Sequence, residues 1–107
     1  MDKRFVYMQV FDRDIFHPQF YRTMEEAQDA MFFNFEEQLM NYGFYDEVVA
    51  KYGSRVTNIP KDWFNDGNVI TSDPADIPQY ELGRDYFWMC CGDDNYDAKI
   101  INMEEEE

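Results

Sequence analysis

Positive charge is scarce in this sequence. Nine lysines and arginines stand against 23 aspartates and glutamates, for a formal net charge of −14. Their placement is uneven: between Thr23 and Ala50 there is no Lys or Arg but seven acids, and from Asp62 to Gly83 again none, with five acids. The summed field of such a surface repels DNA, RNA and anionic membranes, and attracts basic clefts. Direct nucleic-acid binding and adsorption to an anionic membrane are therefore disfavoured.

Catalytic and metal-binding groups are equally few. His17 is the only histidine, and it sits beside Pro18, a context more typical of a structural or exposed imidazole than of a general base. The only cysteines, Cys90 and Cys91, are adjacent. On a strand they point to opposite faces, so they form neither an ordinary disulfide nor, with one histidine, a zinc set. Reduced thiols fit a cytoplasmic chain. Five unclustered glycines rule out a phosphate-cradling loop. No run is long and apolar enough to cross a membrane. The opening "FVYMQVF" after Lys3 and Arg4 is broken by Gln9 and Asp12, without the small-residue cleavage site of a signal peptide. The expectation is a chain that is not an enzyme and carries no cofactor or metal. One pattern runs against it: in "DDNYDAKIINME", Asp93, Asn95, Asp97 and Glu104 fall at positions one, three, five and twelve of a calcium loop, but Ala98 stands where that loop needs glycine. An acidic hairpin turn accounts for the same residues.

What the chain has in abundance is aromatic side chains, at 19% of residues within a 45% hydrophobic content, far more than a disordered acidic chain carries. At 107 residues it is expected to form one domain over 1–103, with 104–107 ("EEEE") as a solvated tail. "RFVYMQVF" predicts a strand with Val6, Met8 and Val10 on one face and Phe5, Tyr7, Gln9 and Phe11 on the other, both partly covered. "DRDIFHPQFYR" reads as a loop. Thr23 and Glu26 form a capping box, and Gly43 supplies a left-handed stop, so 23–43 predicts one long helix. "YDEVVAKYG" predicts a second, short helix. Between Ser54 and Gly83 the prolines and Asp66-Gly67 leave room only for short strands near Val56 and Val69. "DYFWMCC" and "AKIINM" read as hairpin arms around "GDDNYD". The fold class is α+β: a small antiparallel sheet packed against one long helix and one short helix.

The long helix poses a question. Met24, Ala27, Met31, Phe35, Leu39 and Tyr42 gather on a core-facing side, while Glu25, Glu26, Asp29, Glu36 and Glu37 take the opposite arc. Phe33 and Met40 project from the middle of that acidic arc, with Phe32 at its border. Either a second element covers them, or they are apolar studs on an exposed acidic face suited to gripping a protein.

The opening strand "FVYMQVF", the helix start "FYRTMEEAQDAM" and the carboxylates spread along the length give the chain a compositional and architectural resemblance to small acidic proteins of phages and mobile elements that block bacterial defence, the anti-CRISPR and anti-restriction inhibitors. The resemblance implies a non-enzymatic inhibitor, cytoplasmic in a bacterial host, whose partner is a basic nucleic-acid-binding protein such as a guided nuclease. It carries no residue roles. The residues themselves supply a candidate surface: Glu25, Glu26, Asp29, Glu36, Glu37, Asp46 and Glu47 as a carboxylate row, Asp93, Asp94 and Asp97 as a second cluster at a hairpin tip, and Phe33 and Met40 as anchors. A small adaptor that docks through aromatic patches, without nucleic-acid mimicry, is the alternative.

Overall fold

The computed structural model describes residues 4–72, 79–91 and 94–103. Its order is β1 (Phe5–Phe11), β2 (Asp14–Ile15), β3 (Gln19–Tyr21), α1 (Met24–Tyr42), α2 (Tyr45–Tyr52), a 3₁₀ turn (Val56–Asn58), α3 (Lys61–Asn65), β4 (Ile70–Thr71), β5 (Tyr80–Leu82), β6 (Tyr86–Cys91) and β7 (Asp94–Asn102). All strand pairs are antiparallel, in the order β2-β1-β7-β6-β5-β4, with β3 pairing β1 beside β2. The first and last strands meet at the centre, where Phe5 to Phe11 run against Asn102 to Tyr96 without interruption. No helix among the described residues is long and apolar enough to cross a membrane.

Local chemistry explains the long helix. Thr23, in extended geometry, accepts the amide of Glu26 on its side chain, while Glu26 reaches back to the amide of Arg22, one residue upstream of the usual capping-box target. At the other end Gly43, at φ 83°, turns the chain, so that the Phe44 amide bonds the Leu39 carbonyl at 2.8 Å. The predicted inner stripe packs as expected: Ala27, Met31, Phe35 and Leu39 are buried, with Met24 and Tyr42 half-buried at the ends.

The core is an aromatic seam between α1 and one face of the sheet. Phe35 meets Phe87 of β6 edge-on at 5.2 Å and Tyr80 of β5 at 6.2 Å, and Phe87 stacks on Tyr96 of β7 at 5.4 Å. Phe32 turns toward a second contact, 4.6 Å from Phe64 of α3, whose ring also meets Trp63 at 4.9 Å. That contact holds the short elements after α2 against the long helix. Gln28, fully buried on α1, extends the same join by donating to the Asn65 side chain at 3.2 Å and the Arg84 carbonyl at 3.0 Å.

Several details differ from the sequence expectations. The loop after β1 contains β2 and β3, because Asp12 and Arg13 both adopt positive φ (52° and 80°) and form a two-residue hairpin turn of the type that suits the strand twist. Asp12 also ties this turn to the sheet: its side chain accepts the Asn95 amide at 3.0 Å. "VTNIPKDWFN" forms a 3₁₀ turn and α3, with Pro60 as N-cap of α3, rather than a strand near Val56. The expected strand near Val69 is the two-residue β4. β7 begins at Asp94 instead of Ala98, which shortens the hairpin loop. Asn95, Asp97 and Ile100 lie in that continuous strand, which cannot coil round a calcium ion. Asp93, Glu104 and the expected tail 104–107 lie outside the described residues.

Truncation at the helix junction distinguishes core from surface. Phe64→Ala is expected to destabilise the protein by about 3–5 kcal/mol and Phe33→Ala by no more than about 0.5 kcal/mol, measured by chemical denaturation. Equal losses would contradict the packing described.

Candidate partner-binding face

Phe33 and Met40 are not covered: they expose 58% and 51% of their surface. They lie seven residues apart on α1, two helical turns or about 10 Å. The exposed Glu26, Asp29 and Glu37 interleave with them at intervals of three or four residues, so Glu26, Asp29, Phe33, Glu37 and Met40 make one continuous stripe. Glu25 is exposed on its flank, and α2 continues the acidic surface with the exposed Asp46 and Glu47. Side chains in this stripe are not all free. Glu26 holds the cap, and Asp29 pairs with Lys61 of α3 at 2.5 Å. Glu47 accepts the Tyr80 hydroxyl at 2.5 Å.

Glu36 does not belong to the surface. Its side chain is 2% exposed and takes a two-pronged contact from Arg55, with Nη2 at 2.9 Å and Nε at 3.4 Å from its two oxygens. The helical angle that put Glu36 at the edge of the acidic arc also turns it toward the segment after α2, which returns across α1 and brings Arg55 with it. The Arg55 guanidinium is held above its usual value, first by that hydrogen bond and then by the Glu36 charge.

The second acidic cluster is also divided. Asp94 and Asp97 differ in parity along β7 and therefore face opposite sides of the sheet. Asp94 lies on the helix side, where the Tyr42 hydroxyl donates to it at 3.2 Å. Asp97 lies on the far face, and Asp93 is outside the described residues.

Hydroxyls take the place of missing cations. Besides Tyr80 on Glu47 and Tyr42 on Asp94, Tyr86 donates to Glu81. Burial raises the Tyr80 and Tyr86 hydroxyls above the ordinary tyrosine value, the carboxylates push further the same way, and Tyr86 reaches about 12. Burial likewise raises Tyr7, against a hydrogen bond from Asn34, and Tyr96.

One surface departs from the expectation that both faces of the opening strand are partly covered, because the side chains of Met8 and Val10 border a depression. The core cluster lies on the Tyr7 and Phe87 face of the sheet; on the other, Val6 is buried toward the end of β1, but the positions beyond it are outside that cluster. Met8, Val10, Tyr86 and Trp88 are half-buried there, around a shallow depression of about 380 Å³. Ile15 and Phe20 stand 69% and 47% exposed at the β2/β3 edge. The available signal was that "VYMQV" and "YFWMC" are apolar at nearly every position, and so on both faces of their strands.

These contacts can be checked by charge reversal and by pH. Glu36→Lys, which opposes Arg55 with a buried cation, is expected to lower Tm by more than about 10 °C, while Glu37→Lys leaves Tm within about 2 °C. In alkali the sign is set by the raised tyrosines. A folded-state value above the unfolded one stabilises fully below pH 10 and is lost as pH rises through the folded value, so stability is expected to fall from about pH 10 to beyond pH 12. Tyrosinate absorbance followed against unfolding checks this; free titration of all tyrosines at about pH 10 with the fold intact would refute it. Compared with known protein families, with curated proteins and with solved structures, the chain matches none.

Proposed function

We propose that this chain is a non-enzymatic inhibitor, acting in the bacterial cytoplasm, that occupies the basic cleft of a nucleic-acid-binding defence enzyme with the exposed face of α1. The observation that supports this most is the placement of Phe33 and Met40 within an acidic stripe. A carboxylate surface alone binds weakly, because solvated ion pairs contribute little, whereas an apolar side chain seated in a pocket contributes much. Carboxylates three or four residues apart on a helix lie about 5–6 Å from one another, near enough to the phosphate spacing of a strand to engage the same arginines and lysines. The binding set under this reading is Glu25, Glu26, Asp29, Phe33, Glu37 and Met40, with Asp46 and Glu47 at its α2 end. Glu36 and Asp94 support the fold instead, and Asp97 faces away.

A second reading, an adaptor that docks through aromatic patches without mimicry, is favoured by the open apolar face of the sheet. The two differ in salt dependence and in the effect of nucleic acid.

The test is retention of bacterial nucleic-acid enzymes on the immobilised chain from nuclease-treated lysate, followed by challenge with salt and with the retained enzyme's own substrate. Under the inhibitor reading an enzyme is retained and its DNA or RNA displaces it. Phe33→Ser and Glu37→Lys each weaken retention at least tenfold, with Tm unchanged. Retention that is indifferent to salt, to nucleic acid and to both substitutions would overturn this reading in favour of the adaptor.

A further inference from the structure

The geometry points to a homodimer: a second copy of this chain packs face to face on the open side of the sheet, about a two-fold axis that crosses β7 at Ala98. Strand pairing orders that face into rows. Met8, Lys99 and Tyr86 lie side by side in one, and Val10, Asp97 and Trp88 in the next. Among the described residues neither Lys99 nor Asp97 has an ion-pair partner, although both are exposed.

A two-fold axis lying between the sheets, perpendicular to the strands and midway between these rows, exchanges one row for the other. Lys99 then stands opposite Asp97 of the second copy, twice over by symmetry, with Met8 over Val10 and Tyr86 over Trp88. On β1, β7 and β6 each position meets a partner of matching character, and Glu81, which extends the second row on β5, lies outside the matched set. Turning the axis parallel to the strands would instead set Lys99 over Lys99 and Asp97 over Asp97, so the charges select one of the two arrangements. The row exchange is compatible with the aligned packing of β-sandwiches, whose facing sheets lie about 10 Å apart.

Charge also selects the occupant. With a net charge of −14, two copies repel one another over most of their surface. The sheet face is where they repel least, because its two central rows on β1, β7 and β6 carry one cation and one anion among four apolar side chains, and the next carboxylate in line, Glu81 of β5, is held by the Tyr86 hydroxyl. Packing there also turns both acidic α1 faces outward, separated by two sheets and two helix layers, which is several Debye lengths of about 8 Å. The area sets the strength. The three long strands β1, β7 and β6, at about 4.8 Å spacing and with about seven residues at about 3.4 Å each, give a footprint of about 340 Å², or about 690 Å² for both copies, below the range of a stable complex and in that of a weak, transient one. The dimer is therefore weak and concentration-dependent. It would display two α1 faces, independently of what those faces bind.

Sedimentation velocity of the full chain, from micromolar to millimolar concentration, is the test. The expected result is a rise from the 13.0 kDa chain mass toward twice that value. Lys99→Asp weakens association at least tenfold, and adding Asp97→Lys to it restores association, with Tm unchanged in both variants because the two positions are exposed. A monomer at every concentration would overturn the proposal, as would a dimer that Lys99→Asp leaves intact or that the double exchange fails to rescue. Binding of a single-stranded oligonucleotide to this face of a strictly monomeric chain, read by tryptophan quenching lost in Trp88→Phe, would overturn it as well.

Discussion

The packing of α1 against one face of a seven-stranded sheet is the contact on which the rest of the molecule depends. Phe35 touches Phe87 and Tyr80, whose strands, β6 and β5, pair directly. Phe32, one position beyond Met31 of the inner stripe, reaches α3 instead. Four successive residues thus meet four different surroundings: Phe32 the short helix, Phe33 solvent, Asn34 the Tyr7 hydroxyl through a hydrogen bond at 3.0 Å, and Phe35 the sheet. A helix used on so many sides leaves only a narrow arc for a partner. The two exposed apolar side chains fall in that arc.

Among the described residues a single helical layer also leaves the second face of the sheet open, although its strands are apolar on both sides. The two features of interest, the studded stripe on α1 and the bare rows on the sheet, are therefore consequences of the same two-layer architecture. They lie on opposite sides of the molecule, so that occupying one need not obstruct the other.

The excess of carboxylates imposes its own solution. With cations scarce, acids that approach the core are met mainly by hydroxyls: Tyr80 for Glu47, Tyr86 for Glu81 and Tyr42 for Asp94. A neutral donor satisfies a carboxylate oxygen without desolvating a second charge, which keeps the cost of partial burial low. Arg55 is placed where a carboxylate is almost wholly enclosed, on Glu36, and Lys61 on Asp29 at the join between α1 and α3. Gly83 belongs to the same arrangement, since a Cβ there would lie 2.3 Å from the Tyr86 ring that carries its hydroxyl to Glu81.

Information that is local in the chain was legible in advance. The capping pair Thr23 and Glu26, the stop at Gly43 and the periodicity of Met31, Phe35 and Leu39 determined α1 and its buried stripe, because caps and helical spacing act within a few residues. Composition determined that the chain folds and that its surface is acidic. Relations between distant residues were left to the tertiary structure. Glu36 and Glu37 are adjacent and chemically alike, yet one is enclosed because Arg55 returns across the helix and the other is not. Asp94 and Asp97 looked like one cluster while both were assigned to a turn; pairing with β6 draws them into a single pleated strand, where their opposite parity separates them. Whether Phe33 and Met40 were studs or core, and whether Met8 and Trp88 had a covering layer, depended likewise on where α3 and the other helices came to rest. Helical angle and strand parity set which residues share a side, but only the path of the returning chain decides which side is buried.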